Sequence, residues 1–176
     1  MTEIEVKIKV GSAAEARQKL LALGAKVERE RTLEENTLYD FPPGVLAAKR
    51  RALRLRTAGR KAFLTFKGAP QKSRSFKVRD EFETEVRNAG QAREILRGLG
   101  LKAAFAYRKH RTSFRRGRLK VCLDETPVGT YLELEGERHE ITKFARALGF
   151  RRADFITLDY VQMIKAAAET APPEKG

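Results

Sequence analysis

The sequence predicts an α+β fold in which a mainly antiparallel sheet carries amphipathic helices on one face and charges on the other. Three observations point that way. The opening residues MTEIEVKIKV alternate strictly, which in a strand puts Glu3, Glu5, Lys7 and Lys9 on one face and Ile4, Val6, Ile8 and Val10 on the other. Charged alternation recurs at Arg54 and Arg56, at Glu81, Glu83 and Glu85, at Lys109 and Arg111, and at Glu133 and Glu135. Finally, a strand with Glu-x-Glu followed by a helical pattern ending in Leu-Gly occurs three times: EIEVK with ARQKLLALGAKV, FETEV with AREILRGLGLKA, and YLELE with TKFARALGFRR.

Each helical segment has apolar residues at helical spacing, and Gly24, Gly100 and Gly149 suit the left-handed position that ends a helix. Strand, helix and return strand is therefore the expected building unit. Between the first two units, ALRLRT and AFLTFKG flank the turn AGRK and read as a hairpin whose polar positions include Arg54, Arg56 and Lys67. A second hairpin runs from YRKHRTSF to RLKVCLDE, turning at Arg116 and Gly117. The basic segment from Gly68 to Asp80 has no apolar period and is expected to be a loop.

Apolar strand faces such as Ile4, Val6 and Ile8, Leu53 and Leu55, or Leu132 and Leu134 need cover. The segments around 14–23, 91–99 and 141–148 supply it, so the charged faces must point away from the helices. With about eight antiparallel strands, closure would turn those faces into the lining of a tunnel; an open sheet with one solvated charged face fits the pattern equally well.

At 176 residues with 41% hydrophobic content, the chain is long enough for one buried core. It contains no long apolar run, so no membrane span is expected. Its start lacks the apolar stretch of a secretory signal, and the single cysteine, Cys122, cannot form an internal disulfide, so a reducing cytoplasm is the expected setting. The net charge of +14 favours an anionic partner: nucleic acid, polyphosphate or a small phosphorylated molecule.

At this point a resemblance becomes specific. Glu3, Glu5 and Lys7 form a Glu-x-Glu-x-Lys that resembles the signature of the CYTH family, the group of class IV adenylyl cyclases and thiamine triphosphatases also called triphosphate tunnel metalloenzymes. The match continues in order through Arg54, Arg56, Lys67, Glu83, Glu85, Lys109, Arg111, Asp124 within LDETPVGTYLELE, Glu133 and Glu135, up to the segment around Tyr160. The resemblance implies an eight-stranded antiparallel β-barrel tunnel with a charged interior, flanked by the helices. It places that tunnel domain at residues 1–168, and residues 169–176 are expected to be a disordered tail.

The same resemblance implies a divalent metal, Mg²⁺ or Mn²⁺, whose hard character suits Glu3, Glu5, Asp124, Glu133 and Glu135. Lys7, Arg54, Arg56, Lys67, Lys109 and Arg111 are the expected catalytic cations, and Lys9, Glu83 and Glu85 join them as expected substrate-binding positions. Both signs are needed, since cations alone would not organise a metal and carboxylates alone would repel a triphosphate. His110, His139 and Cys122 are read as structural or exposed, Tyr160 as a core aromatic, and Lys49 to Arg51 as screening the tunnel mouth or solvating a loop.

The expected activity is metal-dependent hydrolysis of an organic or inorganic triphosphate such as thiamine triphosphate, a nucleoside triphosphate or tripolyphosphate. Conversion of ATP to cyclic AMP and pyrophosphate is the alternative, set second because no adenine pocket or base for a ribose hydroxyl is legible. A non-catalytic polyanion-binding module is a third reading. It is disfavoured because the sequence lacks interleaved exposed aromatics and because nucleic acid gives no reason for three Glu-x-Glu pairs. The oligomeric state stays open, with a homodimer as one candidate.

Overall fold

The structure, a computed structural model, describes residues 2–170. Eight strands form one closed antiparallel barrel: β1 (Thr2–Val10), β2 (Lys26–Asp40), β3 (Ala52–Ala58), β4 (Lys61–Lys67), β5 (Lys77–Val86), β6 (Lys102–Arg116), β7 (Leu119–Thr126) and β8 (Gly129–Glu135). Around the wall the order is β1-β5-β4-β3-β2-β6-β7-β8, and β8 returns to pair with β1. Closure gives every one of these strands a partner on both sides and excludes the open sheet. The pairing of Lys7 with Glu133 and of Glu5 with Glu135 fixes the register that turns the two Glu-x-Glu strands inward together.

The helices α1 (Ala13–Ala22), α2 (Val45–Ala48), α3 (Ala89–Gly98), α4 (Arg138–Ala147) and α5 (Tyr160–Thr170) flank the barrel. Ser12 caps α1 by accepting from the Glu15 amide, and Asn88 does the same for α3 through the Gln91 amide. The three Leu-Gly endings share one geometry. Gly24, Gly100 and Gly149 have φ of 80°, 89° and 94°, and the next residue donates its amide to a carbonyl five residues back.

Outside the barrel, Val6 and Ile8 of β1, Val121 and Leu123 of β7, and Leu132 and Leu134 of β8 pack against Leu20 of α1 and Ile141 and Phe144 of α4. A second core joins Tyr39 and Leu55 to Ala92 and Leu96 of α3. Apolar burial on the outer face is what commits the alternate, charged positions to the interior.

Three sequence expectations change. The return-strand unit holds after α1 and α3 but not after α4, where the chain makes a 3-10 turn at Arg152–Asp154. It then pairs Ile156 with the backbone of Lys7, at 2.9 and 2.8 Å, just past the point where β5 leaves β1. The segment 68–80 is not loop throughout, since β5 begins at Lys77. Phe76 and Val78 enter the core while Lys77 and Arg79 turn inward, an alternation that Asp80 interrupts. At the C-terminus α5 continues to Thr170, two residues into the expected tail, and 171–176 lie outside the described residues. No helix among the described residues is long and apolar enough to cross a membrane.

Candidate active site

The barrel encloses a cavity of about 440 Å³ lined by charged side chains from seven of its strands and by the start of α5. Three linked clusters fill it. The first is centred on Asp124 of β7, which is fully buried. Lys109 donates to its Oδ2 at 2.9 Å, Arg111 spans both of its oxygens at 2.6 Å, and the Tyr160 hydroxyl donates to Oδ2 at 2.7 Å. Arg111 also reaches Glu133 at 2.9 Å, and Glu34 of β2 stands 3.7 Å from Lys109.

The second cluster continues along β1. Lys7 Nζ lies 3.2 Å from both Glu133 and Glu5, and Lys77 stands 3.5 Å from Glu5. Tyr160 sits between the two walls, its ring 5.1 Å from Lys7 Nζ and 4.6 Å from Lys109 Nζ. In the third cluster Lys67 pairs with Glu81 and approaches Glu3 at 3.6 Å. Arg54 and Arg56 meet Glu83 at 3.5 and 3.1 Å, and Arg56 also meets Glu34 at 3.4 Å.

This pairing decides which groups ionise. Burial opposes charge on Glu133, yet Arg111, Lys7 and Lys109 hold its carboxyl well below the usual range. Burial is likewise outweighed at Asp124 by Arg111 and Lys109, and at Glu5, held at about 2, chiefly by Lys7. Glu3 goes the other way. Burial, a hydrogen bond with Glu81 and repulsion from Glu5 and Glu81 push it up to about 8. Burial, with Lys7 and Arg79 nearby, brings Lys77 down to about 8.

Of the positions expected from sequence, Glu3, Glu5, Lys7, Arg54, Arg56, Lys67, Glu83, Lys109, Arg111, Glu133 and Glu135 line the cavity. Lys9 does not: it is exposed at the end of β1, one step past the last inward position. Glu85 is also outside, paired with Lys61 at 3.1 Å on the surface. Asp124 lies behind the cations it orients, with its oxygens already occupied by their donors and by Tyr160. Tyr160, expected in the core, is buried but faces the cavity.

Sequence reasoning missed Glu34, Lys77, Arg79 and the pairing role of Glu81. Glu34 was hidden because LEENTLYD mixes charge and apolarity on both faces, while Lys77 and Arg79 carried a signal in the alternation FKVRDEFE.

A divalent cation suits these carboxylates chemically. Glu3 and Glu81 are neighbouring oxygen donors that share a hydrogen bond, and Glu3 Oε2 is buried without a hydrogen-bond partner. A cation there would replace a proton and remove the repulsion. No three acidic, histidine or cysteine side chains among the described residues form a ready cage. The remaining ligands would therefore be substrate oxygens, water, or carboxylates released from their lysines.

Comparison with known proteins agrees with this geometry. A CYTH domain family model matches residues 1–150. A protein of Methanocaldococcus jannaschii named as a putative adenylate cyclase is 25% identical over 174 residues, covering 93% of this chain and 98% of its own. Two solved structures share the fold. One is named as a putative adenylate cyclase of Vibrio parahaemolyticus, with TM-score 0.84, 20% identity and coverage of 94% and 98% of the two chains. The other is named as a putative adenylyl cyclase of Hippeastrum with a dominant triphosphatase activity, with TM-score 0.73, 20% identity and coverage of 97% and 98%.

Proposed function

The chain belongs to the CYTH domain family and is an enzyme acting on triphosphates, and we propose that it is a divalent-metal-dependent triphosphatase. The observation that carries this reading is the convergence of Lys7, Arg54, Arg56, Lys67, Lys109 and Arg111, from four strands, on one cavity also lined by Glu3, Glu5, Glu81 and Glu133. Cations from opposite walls suit a short anionic chain, and carboxylates among them suit its metal.

In this reading Arg54, Arg56, Lys109 and Arg111 bind and align the phosphates, exchanging carboxylate oxygens for phosphate oxygens of the same charge. Asp124 and Tyr160 fix Lys109 and Arg111 in place. Glu3 and Glu81, with Glu5, Glu133 and Glu135 from the lining of the same cavity, would hold Mg²⁺ or Mn²⁺, which draws charge from the phosphate oxygens when bound. Water attacks the terminal phosphorus, the bond to the bridging oxygen breaks, the water's protons stay with the orthophosphate that forms, and the cations neutralise the diphosphate that leaves. Such a route needs positioning and charge but no covalent nucleophile.

A second reading, cyclisation of ATP with loss of pyrophosphate, draws on the names of the relatives and uses the same cations and metal. Hydrolysis is preferred because it asks for no base positioned at a ribose hydroxyl. Incubating the protein with ATP, thiamine triphosphate and tripolyphosphate, with Mg²⁺ or Mn²⁺, and identifying products separates the two. Orthophosphate and the diphosphate are expected; cyclic AMP as the main product of ATP would overturn the hydrolase reading.

A further inference from the structure

The cations that line the cavity are not neutralised alike. Lys7, Arg56, Lys67, Lys109 and Arg111 each hold a carboxylate within 3.2 Å, and Arg54 holds one at 3.5 Å. The inward face of β5 differs. Arg79, opposite Glu3 in the ladder with β1, is buried against the cavity; its Nε, like those of Arg54 and Arg56, makes no hydrogen bond, but unlike theirs its guanidinium pairs with no carboxylate among the described residues. Two residues earlier on the same face, Lys77 is 6% exposed and its Nζ also lacks a hydrogen bond. Its nearest carboxylates are Glu5 at 3.5 Å, already held more closely by Lys7, and Asp159 at 3.7 Å.

A buried charge without a close partner is costly, and native proteins leave polar groups in that state mainly where something else completes them. An anion that binds a paired cation must displace a carboxylate, so it trades one contact for another. An anion that binds Arg79 displaces nothing. We propose that Arg79 and Lys77 form the anchoring subsite of the tunnel, the pair on which a phosphate group of the substrate docks first. The guanidinium fork takes two phosphate oxygens, and the ammonium of Lys77 takes a third. The paired cations on the facing strands then exchange their carboxylates for the remaining phosphates. The inference rests on the triphosphate reading above and assigns the anchoring step to two residues outside the sequence motif.

Calorimetric titration of the full chain with tripolyphosphate tests it, using Arg79→Gln, Lys77→Gln and, as a paired-cation reference, Lys67→Gln. Each β5 variant is expected to bind at least tenfold more weakly than wild type and to lose more than the reference, while the melting temperature of Arg79→Gln holds or rises because a buried charge with no carboxylate partner has gone. Arg79→Lys, which keeps the charge without the fork, is expected to bind between wild type and Arg79→Gln, and it carries the test should the glutamine variant fail to fold. Binding within twofold of wild type in both β5 variants overturns the anchoring role, as does a fall in melting temperature with binding unchanged. Wild-type protein that binds no tripolyphosphate removes the triphosphate reading itself, and the anchor with it.

Discussion

The Tyr160 hydroxyl donates a 2.7 Å hydrogen bond to Oδ2 of Asp124, tying the first turn of α5 to β7 inside the barrel. Asp124 thereby becomes the point where the C-terminal helix and two cavity cations meet, because Lys109 and Arg111 donate to the same carboxylate. Replacement by Asn would leave both cations buried without the charge of their closest carboxylate. Asp124→Asn is expected to cost about 3–5 kcal/mol of stability, and Tyr160→Phe, which removes one bond to a charged acceptor, about 1.5–3 kcal/mol. Urea denaturation measures both. Equal, small losses would mean that Asp124 is not the shared support.

Glu3 carries a pH signature. Its folded-state value, raised to about 8 by burial and by Glu81, lies above the ordinary 4.5, so the folded protein binds more protons than the unfolded one between those limits. Wild-type stability therefore carries a contribution that falls as pH rises through that window. Glu3→Gln has no such proton to lose, and its stability relative to wild type is expected to climb from pH 5 to pH 9 in denaturation series. Parallel profiles would remove the shared-proton description. The same variant, with Glu5→Gln, Glu133→Gln and Glu135→Gln, should show reduced metal-dependent turnover.

Lys77 works in the opposite direction. Burial, then Lys7, lower it to about 8 from 10.5, so between those values the unfolded chain binds more protons than the folded one. The unfavourable contribution of its buried charge is complete below pH 8 and is relieved as pH approaches 10.5. Wild type should gain stability relative to Lys77→Gln across that range, as read by paired melting curves. A constant difference would show that Lys77 is solvated like a surface lysine.

Convergence of the cations predicts selectivity. Replacing Arg54, Arg56, Lys67, Lys109 or Arg111 by Ala should weaken tripolyphosphate binding by about tenfold to a hundredfold, the equivalent of ~1.5–3 kcal/mol, and orthophosphate binding far less. Lys72 and Arg74, exposed in the segment before β5, should matter less. Calorimetry with both anions checks this. Uniform losses that salt abolishes at every position would indicate a diffuse basic surface instead of a tunnel.

Much of the barrel was legible because a strand with one buried face writes its orientation as a period of two. Glu3, Glu5 and Lys7, Arg54 and Arg56, and Glu133 and Glu135 declared themselves through the apolar residues between them. Where that contrast failed, so did the reading. In β2, Glu34 and Asn36 alternate with Glu35 and Thr37, so neither face is marked, although Glu34 and Asn36 are the buried pair. Lys9 follows the β1 alternation faithfully but lies beyond the enclosed length of the strand, and pattern carries no information about where an enclosure ends.

By itself the sequence determined the local elements, the helix endings at Leu-Gly, the apolar outer face and the presence of both charge signs opposite it, since each follows from spacing along one segment. Tertiary structure alone decided that the sheet closes through β8 and β1, that Asp124 sits behind Lys109 and Arg111 instead of in the cavity, and that Tyr160 reaches it from 36 residues away. It also decided which cations are compensated and which, like Arg79, are not. The reason is physical: side-chain periodicity is a property of one strand, whereas pairing, burial and the field at a charge depend on which strands become neighbours.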